Sequence, residues 1–436
     1  MDEKTTAQST GLIQHLKNTM TSGRFMKQHR LNEKAFSRER TLTFVVVIVF
    51  LLNMLKRALQ DELDEFDKTI TGEEFASRKV SKSAFSQARK KLKHSAFIEL
   101  NQEQGGYFYE HYEAKKWHGY RLLAIDGSMA DLPNTAELRD HFGYWQPAAG
   151  GQCAKARVSQ LFDVLNKVTV DALIMPKENG ERILAAYHCR YLLEGDLVLL
   201  DRGYPAFWLF VLIRQKQAHF CVRMSLGKWD AVTTFVASGK REQIVSLKPG
   251  YNARKACRER DLPIDPLLVR LIRLDQPGTN PLILATSLLD QTTFPFAYFQ
   301  DLYQNRWPVE TDYAHIKIHL QVENWSGTSV EAIYQDFHAT VFTKNLAAIL
   351  AHPAQQVVAD HSLNKKYRYQ VNMAHLFSKL KDTIVSLFFS PDPFAFLDFL
   401  WHQMIQTIEP IRPDRSSPRK KKVKPKRFPL NRKSLR

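Results

Sequence analysis

Cysteine is scarce and scattered in this chain. Cys153, Cys189, Cys221 and Cys257 are the four present, and no two form a CxxC pair. That disfavours a disulfide framework or a structural zinc site and makes a reducing cytosol the expected compartment. The N-terminus lacks the features of a cleavable signal peptide. The most apolar run, Phe44 to Leu55, is interrupted by Asn53 and is too short to cross a bilayer, so it reads as a buried core helix and no membrane partner is expected. No internal repeat is present. Acidic residues are in deficit: 45 Asp and Glu stand against 62 Lys and Arg, a formal charge of +17. A long basic chain points first to a polyanion, nucleic acid above all, as its partner.

The basic excess is unevenly placed. Arg412 to Arg436 holds twelve Lys or Arg and one acid, Asp414. That stretch is also rich in Pro and Ser, which predicts a segment disordered in isolation. The body before it is only mildly basic. With 436 residues, 44% of them hydrophobic, the chain is long enough for two or three domains and a sizeable core.

Three acids stand out by context. Asp126 closes the apolar run Leu122–Ile125 and precedes Gly127-Ser128; Asp201 closes Leu197–Leu200 and precedes Arg202-Gly203-Tyr204. A carboxylate at the C-terminal end of a buried strand projects from the sheet edge, where ligands bind in α/β folds. Glu310 belongs to a different pattern, Tyr303-x-x-Arg306-x-x-x-Glu310 followed after six residues by Lys317. At about 100° per residue these four side chains would fall within roughly 60° of one helix face. Leu302, Val309, Tyr313, Ile316 and Leu320 form the apolar stripe beside them. Pro308 interrupts the stretch and would kink the helix or mark its first turn, which would leave Tyr303 and Arg306 on a preceding turn.

On these residues the chain resembles the IS4-type DDE transposases, in residue type and spacing of the Tyr-Arg-Glu-Lys signature and in the Asp-Gly-Ser and Asp-Arg-Gly-Tyr contexts. His141-Phe142-Gly143 and Val158 to Val164 are similar to that family's connecting segment, so the resemblance runs from about Ser81 to about Gly327. It implies an α/β fold: an RNase H-like mixed-sheet core with a β-rich insertion, an N-terminal helical domain and C-terminal helices. In residue numbers the expectation is a helical, DNA-end-binding region over 1–115, a catalytic core over 116–350 interrupted by the insertion at 218–290, helices over 351–410 and the basic tail over 411–436. Within the core, Arg121–Asp126 and Leu197–Asp201 are expected as parallel neighbours. Ala156–Leu165 and Lys167–Ile174 are expected as a hairpin, and Gly180–Leu193 as the crossover helix.

The resemblance also implies a chemistry. Two Mg²⁺ ions, with Mn²⁺ as a substitute, would activate a nucleophile and stabilise the leaving alkoxide in DNA strand cleavage. Asp126 would bridge the ions, because its strand is central in the fold, with Asp201 holding one and Glu310 the other. Without cations three converging carboxylates would repel and raise one another's pKa. Arg306 and Lys317 would hold phosphates beside the scissile bond, and Tyr303 would bond a phosphate or stack on an unpaired base. An Arg306–Glu310 ion pair at i,i+4 spacing is compatible with this before DNA arrives. Arg202, next to Asp201, would pair with DNA or with a carboxylate, and Arg89 and Lys90, on a basic helix capped by Ser81 or Ser83, would contact DNA or form a solvated face.

The partners implied are double-stranded DNA, as inverted-repeat ends and target, and a second copy of the chain on paired ends. The place implied is the bacterial cytoplasm, with the nucleoid. Two rivals share these residues: a nuclease on the same fold that never joins ends, and a transposase-derived DNA-binding protein without catalysis. Two isolated features were weaker. Trp229 could stack on a flipped base or fill a core. Asp312, His315 and His319 have a zinc-ligand spacing, although a helical pair without a further ligand is ordinarily solvated.

Overall fold

A computed structural model describes residues 3–38, 40–146, 151–275 and 280–412. The basic tail expected from 411 therefore lies, from 413 onward, outside the described residues. In chain order the first segment is helical: α1 (Glu3–Thr21), α2 (Gly23–His29), α3 (Phe44–Leu52), α4 (Leu59–Thr71), α5 (Lys82–Arg89) and α6 (Ser95–His111). Then come β1 (Arg121–Asp131), α7 (Ala136–Phe142), β2 (Tyr144–Trp145), β3 (Cys153–Asp163), β4 (Val168–Pro176), α8 (Glu181–His188), β5 (Asp196–Leu200) and α9 (Phe207–Gln215). Next are β6 (His219–Arg223), α10 (Asp230–Ala237), β7 (Glu242–Leu247), α11 (Tyr251–Arg258), β8 (Leu267–Leu274) and β9 (Leu282–Thr286). The chain closes with α12 (Tyr298–Gln304), α13 (Pro308–Ala314), a π-helical turn His315–His319, α14 (Val330–His361), β10 (Arg368–Val371), α15 (Met373–Phe389), α16 (Phe394–Gln406) and β11 (Ile408–Ile411).

The fold separates into two compact units. One comprises Lys115–Met129 and Arg157–Tyr313; the other takes Met1–Ala114, Ala130–Ala156 and the chain from Ala314. In the first, β1 lies parallel to β5, and β5 parallel to β6. The sheet runs β3-β1-β5-β6-β9-β8-β7, with β4 paired to β3. The block β4-β3-β1-β5-β6 is the RNase H-like core expected, including the hairpin and the crossover helix. The hairpin turn is set by Asp163, whose carboxylate accepts the amides of Leu165 and Asn166, and by Lys167 at φ 59°. The β1–β5 register pairs Arg121 with Asp196 and Ala124 with Leu199. It is pinned where both strands begin: Arg121 donates to both oxygens of buried Asp196, at 2.8 and 2.7 Å.

Two details depart from expectation. Within the stretch expected as a β-rich insertion, Thr233–Val236 lies in α10, and α11 adds a second helix. Val232 and Phe235, three residues apart, are buried while the residues between them are exposed, so a 3.6-residue period governs there. And β9, β8 and β7 continue the central sheet antiparallel from β6, so the insertion's strands extend the core.

The second unit is built around α14, 32 residues long and buried along most of its length. Helices α3, α6, α15 and α16 pack against it. Its contacts carry polar ties: Thr343 donates to the Leu52 carbonyl, Gln104 to that of Phe342 and Trp401 to that of Leu350. The N-terminal and C-terminal helices thus share one core. The helical periodicity from Thr41 to Leu63 resolves into two helices, α3 and α4, because the chain turns at Asn53–Ala58 with Met54 at φ 49°. Buried Glu62 holds that turn, accepting the amides of Lys56 and Arg57 at 2.7 and 2.8 Å. Among the described residues no helix is long and apolar enough to cross a membrane.

Candidate active site

The register of β1 on β5 places the two aspartates. Each aligned pair is offset by 75 residues, as Arg121 is from Asp196, and the same offset separates Asp126 from Asp201. Strand β5 stops at Leu200, whereas β1 runs on to Asp131, past the end expected for it. Asp126 therefore sits mid-strand, but at the level where its β5 neighbour has ended. Two hydroxyls bond its carbonyl. Tyr313 donates to the Asp126 carbonyl at 2.8 Å and Ser159 at 3.2 Å.

Asp201 opens a tight turn. Its carbonyl accepts the Tyr204 amide at 3.3 Å, and its carboxylate accepts the Gly203 amide. Gly203 is required by crowding: a Cβ there would stand 3.1 Å from Asp201 Oδ1 and 3.3 Å from Glu181 Oε2. Arg202, between them, is exposed, as a DNA contact needs to be.

The third acid comes from a helix. Pro308 is the first residue of α13, so Tyr303 ends up on α12 and Arg306 on the turn between the two helices. The single-face reading of Tyr303, Arg306, Glu310 and Lys317 is thereby replaced. A proline at the first helical position lacks only an amide that would go unpaired there, and it starts a new helix. The apolar stripe does hold, since Leu302, Val309, Tyr313, Ile316 and Leu320 are all buried. Glu310, in the first turn of α13, accepts Arg306 Nη2 at 2.7 Å, the i,i+4 pair foreseen.

These charges act on one another. Burial pushes the Asp126 carboxyl up to about 6; the Gly127 amide and the Arg306 guanidinium oppose that rise, and Glu310 and Asp201 reinforce it. The two aspartates and Glu310 are thus within electrostatic reach of one another. Among the described residues, however, no three His, Cys, Asp or Glu side chains are grouped closely enough to hold one ion together. Glu310 is instead bonded to Arg306.

Several expected DNA contacts occupy other roles. Tyr303 is buried and donates its hydroxyl to the Leu200 carbonyl at 3.3 Å, so it braces α12 on the end of β5. Burial raises its pKa, so it stays a donor. Arg306 is 6% exposed, and its Nε–H finds no acceptor among the described residues. Arg89 is a correction: it is buried and bonded to Gln335, Ser326 and Asp336, at 2.8, 2.8 and 2.9 Å. It fastens α5 to α14, while Lys90 beside it is exposed. Ser81 is the cap of α5, accepting the Ala84 amide. Lys317 falls in the helical unit, on the π-helical turn, with its ammonium 3.8 Å from Glu323. Trp229 packs against the sheet core, stacked on Phe210 at 6.0 Å.

Reading from sequence missed one acid and one tyrosine. Glu181, the first residue of α8, lies against both motif glycines, since a Cβ on Gly127 would meet its Cγ at 3.6 Å. Tyr313 was read only as part of an apolar stripe. The signal for Glu181 was the pair of glycines beside Asp126 and Asp201, which leave room for a third party.

A transposase for the insertion sequence element IS4 from Escherichia coli (strain K12) is 27% identical over 244 residues, 56% of this chain and 54% of that protein. The chain thus spans about half the length of the curated relative it matches. A cryo-EM structure of piggyBac transposase in a synaptic complex with hairpin DNA aligns over 93% of this chain and 88% of that one, at 10% identity and a TM-score of 0.48; no conclusion rests on it. Residues 117–346 match the family model described as the transposase DDE domain, and with more than half of its length in that match the chain belongs to the DDE transposase family.

Proposed function

We propose that this protein is a transposase that cuts DNA at the ends of a mobile element and joins the freed 3′-OH to target DNA. The observation that supports it is the shared 75-residue offset, by which Asp201 follows the end of β5 at the level of Asp126 on the parallel neighbour β1, with Glu310 in electrostatic reach of Asp126. The donor set suits a hard divalent cation. It offers carboxylate oxygens, one of them on a residue whose burial and acidic neighbours penalise its charge, and a buried Tyr204 hydroxyl without a protein partner at the same place. Asp126, Asp201 and Glu310 are the residues that would hold such ions. When bound, two Mg²⁺ or Mn²⁺ ions would supply an activated nucleophile and charge stabilisation for phosphoryl transfer.

The chain's own residues prepare that chemistry. Asp126 must lose its proton to act, and Arg306 lies close enough to favour the loss. Glu310 is held by Arg306 and must exchange that partner to serve as a ligand. The unpartnered Nε–H of Arg306 is a donor ready for a phosphate oxygen, and exposed Arg202 supplies a second charge. Tyr303 and Tyr313 fix the segment bearing Glu310 to the strand ends. No covalent protein–DNA intermediate is needed, because water and then a 3′-OH are the nucleophiles.

The same reading assigns inverted-repeat DNA to the N-terminal helical segment, where Lys90 presents an exposed charge. It includes pairing of two copies on paired ends and residence in the bacterial cytoplasm. The test is a cleavage and joining assay with Mg²⁺ on DNA carrying the inverted repeats that flank the coding region. Joined products are expected; hydrolysis alone would make the protein a nuclease, and binding without cleavage would overturn catalysis.

A further inference from the structure

We propose that Glu181 is a fourth carboxylate of the Asp126–Asp201 site and helps to hold a divalent cation on the Asp201 side, an inference that rests on the metal-dependent reading above.

Glu181 occupies the space that the two motif glycines leave open. From the first turn of α8 its Oε2 would stand 3.3 Å from a Cβ on Gly203, and its Cγ 3.6 Å from a Cβ on Gly127. Asp201 Oδ1 would stand 3.1 Å from that same Gly203 Cβ, so the Glu181 and Asp201 oxygens border one glycine. Its neighbours anchor it there. Arg157 on β3 donates to Glu181 Oε1 at 2.9 Å and to the Lys177 carbonyl at 3.3 Å, and Arg182 donates to the Gly203 carbonyl at 3.0 Å. Arg157 binds one oxygen of Glu181, and the other is the one turned to the Asp201 turn.

A second, independent observation points to a ligand. The Tyr204 hydroxyl is 1% exposed and has no hydrogen-bond partner among the described residues. It would lie 3.7 Å from a Cβ on Gly127, beside Glu181 Cγ. A buried hydroxyl left unpaired is costly by about 1–3 kcal/mol unless something polar completes it. It is a donor beside the Glu181 side chain, which a hydrated cation between Asp201 and Glu181 would complete: the ion would neutralise these two acids and its water would accept the hydroxyl.

The experiment is a titration of the full-length protein with Mn²⁺, free ion being read by electron paramagnetic resonance. Glu181→Gln is expected to weaken Mn²⁺ binding about tenfold or more, and Glu181→Asp, which keeps the charge but shortens the reach, to bind between the two. Wild-type affinity in either folded variant overturns the proposal. Asp126→Asn separates this inference from its foundation. If wild type binds Mn²⁺, Asp126→Asn loses it and the Glu181 variants do not, only the fourth carboxylate fails. If wild type takes up no Mn²⁺, or Asp126→Asn binds as well as wild type, the metal-dependent reading fails and this inference with it.

Discussion

The two strand-borne aspartates and the helix-borne Glu310 are held in opposite ways. Asp126 and Asp201 are fixed by backbone: a strand register pinned by Arg121 and Asp196 sets their height, and main-chain amides of Gly127 and Gly203 meet their carboxylates. No ion pair reaches either among the described residues. Glu310 is fixed by side chains: Arg306 holds its carboxylate, and the segment around it is docked by the hydroxyls of Tyr303 and Tyr313. A register in a buried parallel sheet cannot slip by one residue without turning every side chain over. An i,i+4 pair can exchange partners at modest cost. The difference teaches that the aspartates form the permanent part of the site and Glu310 the part that completes it.

The comparison is broken most directly by activity. Asp126→Asn or Asp201→Asn should reduce Mg²⁺-dependent cleavage of end-sequence DNA by about 10³-fold or more, with DNA binding by mobility shift retained. Wild-type turnover in either variant ends the assignment.

Next in size is a pH effect on the metal-free protein. The Asp126 carboxyl is raised from an ordinary 3.8 to about 6. The folded state therefore binds the proton more tightly than the unfolded chain does. The stability this brings is fully present below the unfolded value and is lost as pH rises through about 6. At roughly 1.4 kcal/mol per pH unit the loss is about 3 kcal/mol at most. Thermal melts between pH 4 and 7 should show it in wild type and lack it in Asp126→Asn. Equal slopes would mean that Asp126 is not desolvated as described.

Arg306→Gln sharpens the contrast. It leaves Glu310 without its partner and removes a cation that favours Asp126 ionisation. A stability loss of about 2 kcal/mol in chemical denaturation is expected, below the 3–5 kcal/mol of fully buried pairs because Glu310 is partly exposed. The pH dependence attributed to Asp126 should also shift upward. The smallest effects belong to the phenols. Tyr313→Phe and Tyr303→Phe each delete one hydrogen bond and should each cost about 1 kcal/mol. Tyr313→Phe should cost more, its bond being the shorter of the two.

Much of this was legible in the chain. Leu122–Ile125 and Leu197–Leu200 are continuous apolar runs of strand length, and a sheet covered on both faces demands such runs. That made β1 and β5 readable, and a helical crossover between them made their parallel pairing readable too. Asp201 follows the end of β5 as read, whereas β1 runs on to Asp131 and leaves Asp126 mid-strand. What failed has a common cause: which partner a side chain meets through space is not written in local spacing. Arg89 reads as one residue of a basic helix face, yet a carboxylate and a glutamine on α14 internalise it. Tyr303 reads as a ligand group, yet the carbonyl left over where β5 ends recruits it. Thr233–Val236 has strand-forming residue types, and packing of Val232 and Phe235 on the core turned it into helix.

The phenol of Tyr303 on the Leu200 carbonyl joins positions 103 residues apart in the chain. Everything between them leaves and returns at one clamped point. Closing such a loop costs entropy that grows only with the logarithm of its length. The surface loops between the strands and helices of that stretch can therefore be lengthened at modest cost, so long as the two ends of the clasp remain.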